Sequence, residues 1–391
     1  MSFDNIFKTA NIALRIIGSH PACVRNRNWK IKFIILILFK IFTSILLCYS
    51  IFVKDIQDER YADASKNIVM LLITVTVIFD YSVLLIHQHS IMGIIHTINE
   101  DYNLIPKLTE KEKKIVLDYS EKGLKVCRLW YMVSIICSTI FPLKAIVLMV
   151  YMYYNKGEFK LVPMFDLSYP DSIDVNKNEP GPYVIFLSIY IIFAFYAVLT
   201  FTGFDPVVPI FLLHACGQLD VTNQRISSVY NETLDEKQIE EKFKRIILKM
   251  QEIYSFITVI KKDFTILYEF TMKTTTFLLP LCAFQILVSL RNRDSNLEFI
   301  PFFFGMLLHF YVPCYYSDLL MEKSENLRQA IYACGWELKP NLRPRKIVLI
   351  MLIRATRPLV IHSVFYTICL DTFAEMARTA YAIFNIMTAT F

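Results

Sequence analysis

Tyr183-Val184-Ile185-Phe186-Leu187-Ser188-Ile189-Tyr190-Ile191-Ile192-Phe193-Ala194-Phe195-Tyr196-Ala197-Val198-Leu199-Thr200-Phe201-Thr202-Gly203-Phe204 runs without a single charge, and beyond Asp205 and Pro206 the apolar text resumes to Leu213. A bilayer core of about 30 Å takes about 20 mostly apolar helical residues, so this stretch reads as a membrane span. Runs of the same kind lie at 31–53, 67–87, 129–153, 264–290 and 299–320. A last apolar region, 347–391, is interrupted by Arg354, Arg357, Pro358, Asp371 and Arg378. Hydropathy alone leaves it as one span plus a helix outside the hydrocarbon, or as a tight hairpin, for seven or eight crossings in all.

Composition agrees. Of the 391 residues, 55% are hydrophobic and 19% charged, against about 25% charged in an ordinary soluble domain, and mean hydropathy is +0.43. Disordered, fibrous and nucleic-acid-binding classes are excluded. Nine glycines are few for a nucleotide-cradling enzyme, and no G-x-S-x-G, H-E-x-x-H, G-x-G-x-x-G or phosphate loop is present. No Cys/His cluster has zinc spacing. The expectation is a membrane protein that is not an enzyme and needs no cofactor or metal.

Orientation follows from the basic residues. Segments 1–30, 88–128, 218–262 and 320–346 hold 26 of the 41 Lys and Arg, whereas 54–66, 154–182 and 291–297 hold eight. The richer side is expected to face the cytoplasm, with the N-terminus inside and, for seven spans, Phe391 outside. The net charge of +6 then anchors the chain against anionic lipid. Residues 1–30 precede a span too long for a signal peptide, so the first span inserts itself. Glu59-Arg60-Tyr61 matches the rhodopsin-like triplet but follows the first span, and no Asn-Pro-x-x-Tyr closes the chain. Asp80, Lys144, Asp205 and Lys273 fall in or beside spans, where ionisable groups are costly and often functional; they raise a proton-coupled transporter as an alternative, though no inverted repeat supports it.

Four blocks stand in order after the fourth span. They are Leu213-His214-Ala215-Cys216-Gly217-Gln218-Leu219-Asp220, then Ala330-Ile331-Tyr332-Ala333-Cys334-Gly335-Trp336 with Pro340, Arg343 and Arg345 behind it. Arg354-Ala355-Thr356-Arg357-Pro358-Leu359 follows, and last come Leu370-Asp371-Thr372-Phe373 with Arg378-Thr379-Ala380-Tyr381 and Phe384. In this order they resemble the insect odorant receptors over essentially the whole chain. The outer stretch Leu161-Val162-Pro163 to Tyr169-Pro170 is similar to that family's Leu-Pro…Tyr-Pro loop, without its usual Trp. Segment 218–262 lacks the long insertion of the shared coreceptor, so the chain resembles an odour-tuning subunit, in the style of moths and butterflies. A gustatory-type channel is the alternative, but no Gln follows Thr379-Ala380-Tyr381.

The resemblance implies an all-α fold of seven transmembrane helices, with the N-terminus cytoplasmic and the C-terminus extracellular. Its expected parts are a cytoplasmic N-terminus (1–30), helices one to four (31–217), a cytoplasmic loop with anchor helices (218–262), helices five and six (263–320), an anchor (321–357) and a pore-lining last segment (358–391). It implies a ligand-gated, non-selective cation channel in the plasma membrane of olfactory neuron dendrites. The partners would be the coreceptor Orco in a heterotetramer, a small volatile, permeating cations and the lipid bilayer, with no nucleic acid and no obligatory G protein. His214, Tyr332, Trp336, Arg354 and Pro358 would belong to the subunit anchor. Ile386 and Thr390 fall at the family's pore constriction, Ala389 beside it and Ile383 on the same helix face. The volatile would sit among Leu72 and Val75 of span two, Ile146, Met149 and Tyr153 of span three, Phe186, Tyr190 and Phe193 of span four, and Phe303, Met306, Leu307 and Phe310 of span six.

The topology has a direct test. Asn231-Glu232-Thr233 is the only glycosylation sequon and is expected on the cytoplasmic side, where it stays bare. Treatment with an endoglycosidase should leave the gel mobility of the expressed protein unchanged; a shift that is lost in Asn231→Gln would invert the topology.

Overall fold

The computed structural model describes residues 2–157, 160–165, 167–230, 236–292, 298–338 and 342–390; the sequon, Pro340 and Phe391 lie outside them. Two short helices, α1 (Phe3–Ile6) and α2 (Lys8–Ile16), precede α3 (Arg27–Tyr49), which continues through a π-turn at Ser50–Asp55. Then come α4 (Tyr61–Ile86), α5 (Gln88–Asn103), α6 (Glu110–Lys156), the single turn α7 (Asp171–Asp174), α8 (Pro180–Phe204) and α9 (Val207–Ser227). The rest is α10 (Glu236–Asn292), α11 (Phe299–Tyr332), α12 (Leu342–Ala355), a hairpin of β1 (Ile361–His362) and β2 (Thr367–Ile368), and α13 (Leu370–Thr390).

Among the described residues six helices are long and apolar enough to cross a membrane: α3 with its π-turn, α4, α6, α8 with α9, α10 and α11. Helix α13 is also of membrane length at 21 residues, with Asp371, Glu375 and Arg378 confined to its first half. The chain is an all-α, multi-pass membrane protein whose last apolar region is broken.

Local chemistry explains the boundaries. A capping box starts α6: the Glu112 amide donates to Thr109 Oγ1, and the Thr109 amide to the Glu112 carboxylate. Gly157, with φ 65°, ends that helix in the left-handed conformation. The fourth span stops at Phe204 and restarts at Val207 because Pro206 has no amide to donate. Helix α10 has 57 residues, so at 1.5 Å per residue it is about 86 Å long. That is far more than a hydrocarbon core spans, and the charged stretch 236–262 is the part that projects from it.

Where the sequence expected only a break near Pro358, the structure inserts a hairpin. Side chains of α11 take up its backbone amides. Ser324 accepts from the Leu359 amide at 3.1 Å, Ser317 from the Ile361 amide at 3.3 Å and Asp318 from the Leu370 amide at 3.0 Å.

The packing centre is α9, buried from Val207 through Leu219 and flanked by α6, α10 and α11. Buried on every side over this stretch, it is a core helix. The N-terminal helices tuck against α5, α6 and α8 through Phe3, Phe7, Ala10, Leu14 and Ile17, all buried. The Phe3 amide donates to Asn99 Oδ1 at 2.7 Å. Gly123 of α6 makes room for this dock: a Cβ there would stand 2.8 Å from the Phe7 ring.

Gly123→Val should therefore push the N-terminal helices off the bundle at a cost of about 1–3 kcal/mol. Thermal unfolding in detergent reads the loss as a lower Tm. Gly93→Ala, with open space at its Cβ, is the matched control and should not lower Tm, since alanine favours an exposed helix interior over glycine.

Candidate functional site

One stripe of α6 organises the interior. Trp130, Val133, Ser134, Cys137, Ser138 and Phe141 recur at three and four residues, so they share a helix face. Opposite them stand Met70 and Ile73 of α4, Tyr190 and Phe193 of α8, and Gly305 and Met306 of α11. Together they enclose an inner cavity of about 610 Å³ of empty space, mouth included. Two of its hydroxyls are committed: Ser134 donates to the Trp130 carbonyl at 2.6 Å, and Tyr190 to the Ser138 carbonyl at 3.2 Å, while the buried Trp130 Nε1 has no hydrogen-bond partner among the described residues. The rest of the lining is mostly carbon and sulfur, suited to small apolar ligands.

A second, outer cavity, about 860 Å³ of empty space with its open mouth included, lies between α3, α4 and α8 beneath the stretch that follows Gly157. Met70, Tyr190 and Phe193 line both spaces.

Of the twelve residues named from the sequence for the volatile, Tyr190 and Phe193 line both cavities, Met306 the inner one and Phe186 the outer one. The other eight line neither. Val75, Ile146 and Tyr153 are exposed on the bundle's flank. Met149 is half-buried, while Leu72, Phe303 and Leu307 pack partly buried against the core. Phe310 is fully buried, its ring 6.4 Å from that of Phe373 in α13. Met70, Ile73 and the α6 stripe were missed, although the helical spacing from Trp130 to Phe141 was open to inspection.

The intramembrane charges cluster below the inner cavity. His309 Nδ1 lies 3.1 Å from Asp205 Oδ2, their side chains 6% and 4% exposed. Asp205 stands where α8 gives way to α9, so the pair ties α11 to that break. Trp130 and Phe201, two lining residues, meet the His309 ring edge-on at 5.9 and 6.0 Å. Asp80 and Lys40, also buried, complete the cluster, with Lys40 Nζ 5.3 Å from the Tyr81 ring centroid. At the other end Lys144 pairs with buried Glu298 at 2.7 Å, one turn from Phe141 and Phe302 of the cavity wall. Lys273 pairs along its own helix with Glu269 at 2.9 Å. Of the positions read as transporter candidates, Asp205, Lys144 and Lys273 make intramolecular ties between or along helices, while both carboxylate oxygens of buried Asp80 have no hydrogen-bond partner among the described residues.

The anchor candidates separate. His214 is buried, and its Nε2 lies 2.9 Å from Asp101, whose other oxygen accepts from Lys249 at 2.5 Å. Burial alone would raise the Asp101 carboxyl, but hydrogen bonds and charge from His214 and Lys249 outweigh it and hold it below its ordinary range. Tyr332 is 66% exposed, and its carbonyl accepts from Trp336 Nε1 at 2.9 Å. The Arg354 guanidinium sits 4.5 Å from the Tyr254 ring centroid, and Pro358 is exposed just past α12. On α13, Ile386, Ala389 and Thr390 are exposed and Ile383 is half-buried. The Thr390 hydroxyl is bonded back to the Ile386 carbonyl.

Comparison with known proteins places this geometry. The family model described as 7tm Odorant receptor matches residues 60–381. Odorant receptor 13a of Drosophila melanogaster is 24% identical over 263 residues, covering 59% of this chain and 62% of that protein. Odorant receptor 10a of the same fly is 23% identical over 217 residues, covering 52% and 53%. The chain thus spans between half and two thirds of the length of these curated relatives. The solved structure of the insect olfactory receptor OR5 from Machilis hrabei in complex with eugenol superposes with a TM-score of 0.78 at 15% identity, over 99% of this chain and 98% of that one. The structure described without eugenol gives 0.76 at 17% identity, over 98% and 97%. At such identity the likeness is one of fold.

His309→Leu would strand the Asp205 carboxylate in the core, a loss of about 3–5 kcal/mol for a broken buried pair. The measurement is detergent Tm with surface yield. Adding Asp205→Asn should recover much of the loss, and a double-mutant cycle that shows no coupling would disprove the tie.

Proposed function

We propose that this chain, which belongs to the insect odorant receptor family, is an odour-tuning subunit of a ligand-gated, non-selective cation channel. It would assemble with the shared coreceptor as a heterotetramer in the plasma membrane of olfactory neuron dendrites, with its basic end in the cytoplasm. The observation that carries the reading is the enclosed apolar cavity between α4, α6, α8 and α11. A small volatile held among Met70, Trp130, Phe141, Tyr190, Phe193 and Met306 would bind mainly by leaving water. Burying roughly 200 Å² of apolar surface gains about 5 kcal/mol, and Met and Phe side chains adapt to varied shapes.

A short path supports a link from this cavity to the pore. Gly305 and Met306 line the cavity on α11. One turn further along, Phe310 and Tyr311 lie against Phe373 of α13, at centroid distances of 6.4 and 5.4 Å. A ligand that prefers a shifted α11 would move α13 with it. In the assembled channel exposed Ile386, Ala389 and Thr390, with half-buried Ile383 on the same side, would face the axis, and Ile386 would close it by excluding water. Exposed Tyr332 with Trp336, Arg354 and Pro358 would lie at or beside the subunit contact. Buried His214 would hold the anchor region together from inside.

The experiment is whole-cell current under a broad volatile panel, with and without an insect coreceptor. Ligand-evoked cation current that requires the coreceptor is the expected result. Ser138→Phe, which fills the inner cavity, should raise the EC50 by about tenfold or more, the worth of roughly two buried methylenes. Ile386→Ala should raise basal current. Silence across the panel with both proteins at the surface would overturn the channel reading; unchanged EC50 values in Ser138→Phe would overturn the cavity.

A further inference from the structure

The outer cavity has no part in the reading above, yet it is a built space. Its roof includes Pro163, Phe165 and Leu167, and a polar knot fastens that roof. Asp55, fully buried, accepts from Ser168 Oγ at 2.9 Å, from Asn67 Nδ2 at 2.7 Å and from Ser50 Oγ at 3.1 Å. Arg60 adds an ion pair at 3.3 Å. Ser50 and Asp55 open and close the π-turn, whose looser winding brings residues five apart together. Ser50 Oγ also accepts from the Ser168 amide at 3.0 Å, and the neighbouring Tyr169 stacks on Phe186 with centroids 4.3 Å apart.

Inside, the polar atoms are taken. Thr43 donates to the Lys40 carbonyl at 3.0 Å, Tyr183 to the Val162 carbonyl at 3.3 Å, and Lys177 pairs with Asp174 at 3.2 Å. An occupant with its own polar groups would lose their water and gain little in return, so the space suits hydrocarbon. The wall towards the inner cavity is three side chains, Met70, Tyr190 and Phe193. Tyr190 is held by its bond to the Ser138 carbonyl. Met70 is unbranched and easily reshaped.

We propose that the outer cavity is a second ligand subsite, which takes the hydrocarbon tail of a long-chain aliphatic odorant whose other end occupies the inner cavity. The tail passes between the two spaces beside Met70. This rests on the reading of the inner cavity as the odorant site, and it narrows the ligand to unbranched chains too long for that cavity alone.

The test is a homologous series of primary alcohols and their acetates, hexyl through hexadecyl, applied to cells that co-express the chain and an insect coreceptor. Leu47 lines only the outer cavity and is buried. Leu47→Trp fills that space and should raise the EC50 of the longest active members about tenfold, the worth of roughly two buried methylenes, while short members keep theirs. Leu187→Trp, filling the same cavity from α8, should repeat the split if the first variant reaches the surface poorly. Retained short-chain current is the folding control. An unaltered series in both variants, an equal shift for short and long members, or a wild type blind to the long members would overturn the subsite. The inner reading fails separately, when Ser138→Phe leaves every member unchanged.

Discussion

A peptide group in hydrocarbon has no water to bind, and each one left unpaired costs several kcal/mol. The protein is therefore helix wherever it crosses, and each exception is a place where side chains have taken over water's role. At the link between α12 and α13 the substitutes are Ser317, Asp318 and Ser324 of α11. At the π-turn Ser50 and Asp55 face outward from the ladder and hold the loop above it. The break at Pro206 lies next to Asp205, whose carboxylate pairs with His309 of the neighbouring helix. The departures from helix coincide with the parts proposed to work: the roof of a cavity, its floor and the approach to the last helix.

The same constraint shapes the cavities. A hydroxyl inside a span finds its cheapest partner in its own helix, four residues back, as Ser134 does with the Trp130 carbonyl. A pocket cut into such a bundle is apolar even where its residue types are not. Selectivity in a space of this kind comes from shape and length more than from hydrogen bonds, since one methylene more or less is worth about 0.8 kcal/mol. The two cavities meeting at Met70 turn that general rule into a specific question of chain length.

Much of this was legible before any coordinates. Twenty-residue apolar runs located the crossings, and Arg354, Arg357 and Pro358 marked the last region as broken. Other features were visible but unread. Phe3, Phe7, Ala10, Leu14 and Ile17 recur at helical spacing, so the segment taken as a plain cytoplasmic leader was readable as an amphipathic pair of helices docking on the bundle. The α6 stripe from Trp130 to Phe141 has the same signature, but within a span every face is apolar, and hydropathy does not tell the lipid side from the inside. That is why Ile146 and Tyr153, named for the pocket only through the resemblance, could not be told from flank residues, where the fold places them. The pairing of His309 with Asp205, and of Lys144 with Glu298, joins residues more than a hundred apart; no local pattern could announce it.

Gating places a final demand on this architecture. A ligand shifts an equilibrium only by its difference in affinity for the two states, and moving one from 1:99 to 99:1 takes about 5.5 kcal/mol. The burial of a small volatile, about 5 kcal/mol, falls slightly short of that even if all of it were realised in the open state alone. A single apolar pocket in a single subunit cannot meet that easily. A closed state only marginally favoured relaxes the demand, as does a ligand that reaches into a second cavity and buries more of itself there. The first condition fits a last helix whose buried side chains, Thr372, Met376 and Ala380, all lie in its first half. A loosely held helix is easily biased, and it is attached through Phe373 to the α11 wall that the ligand would touch.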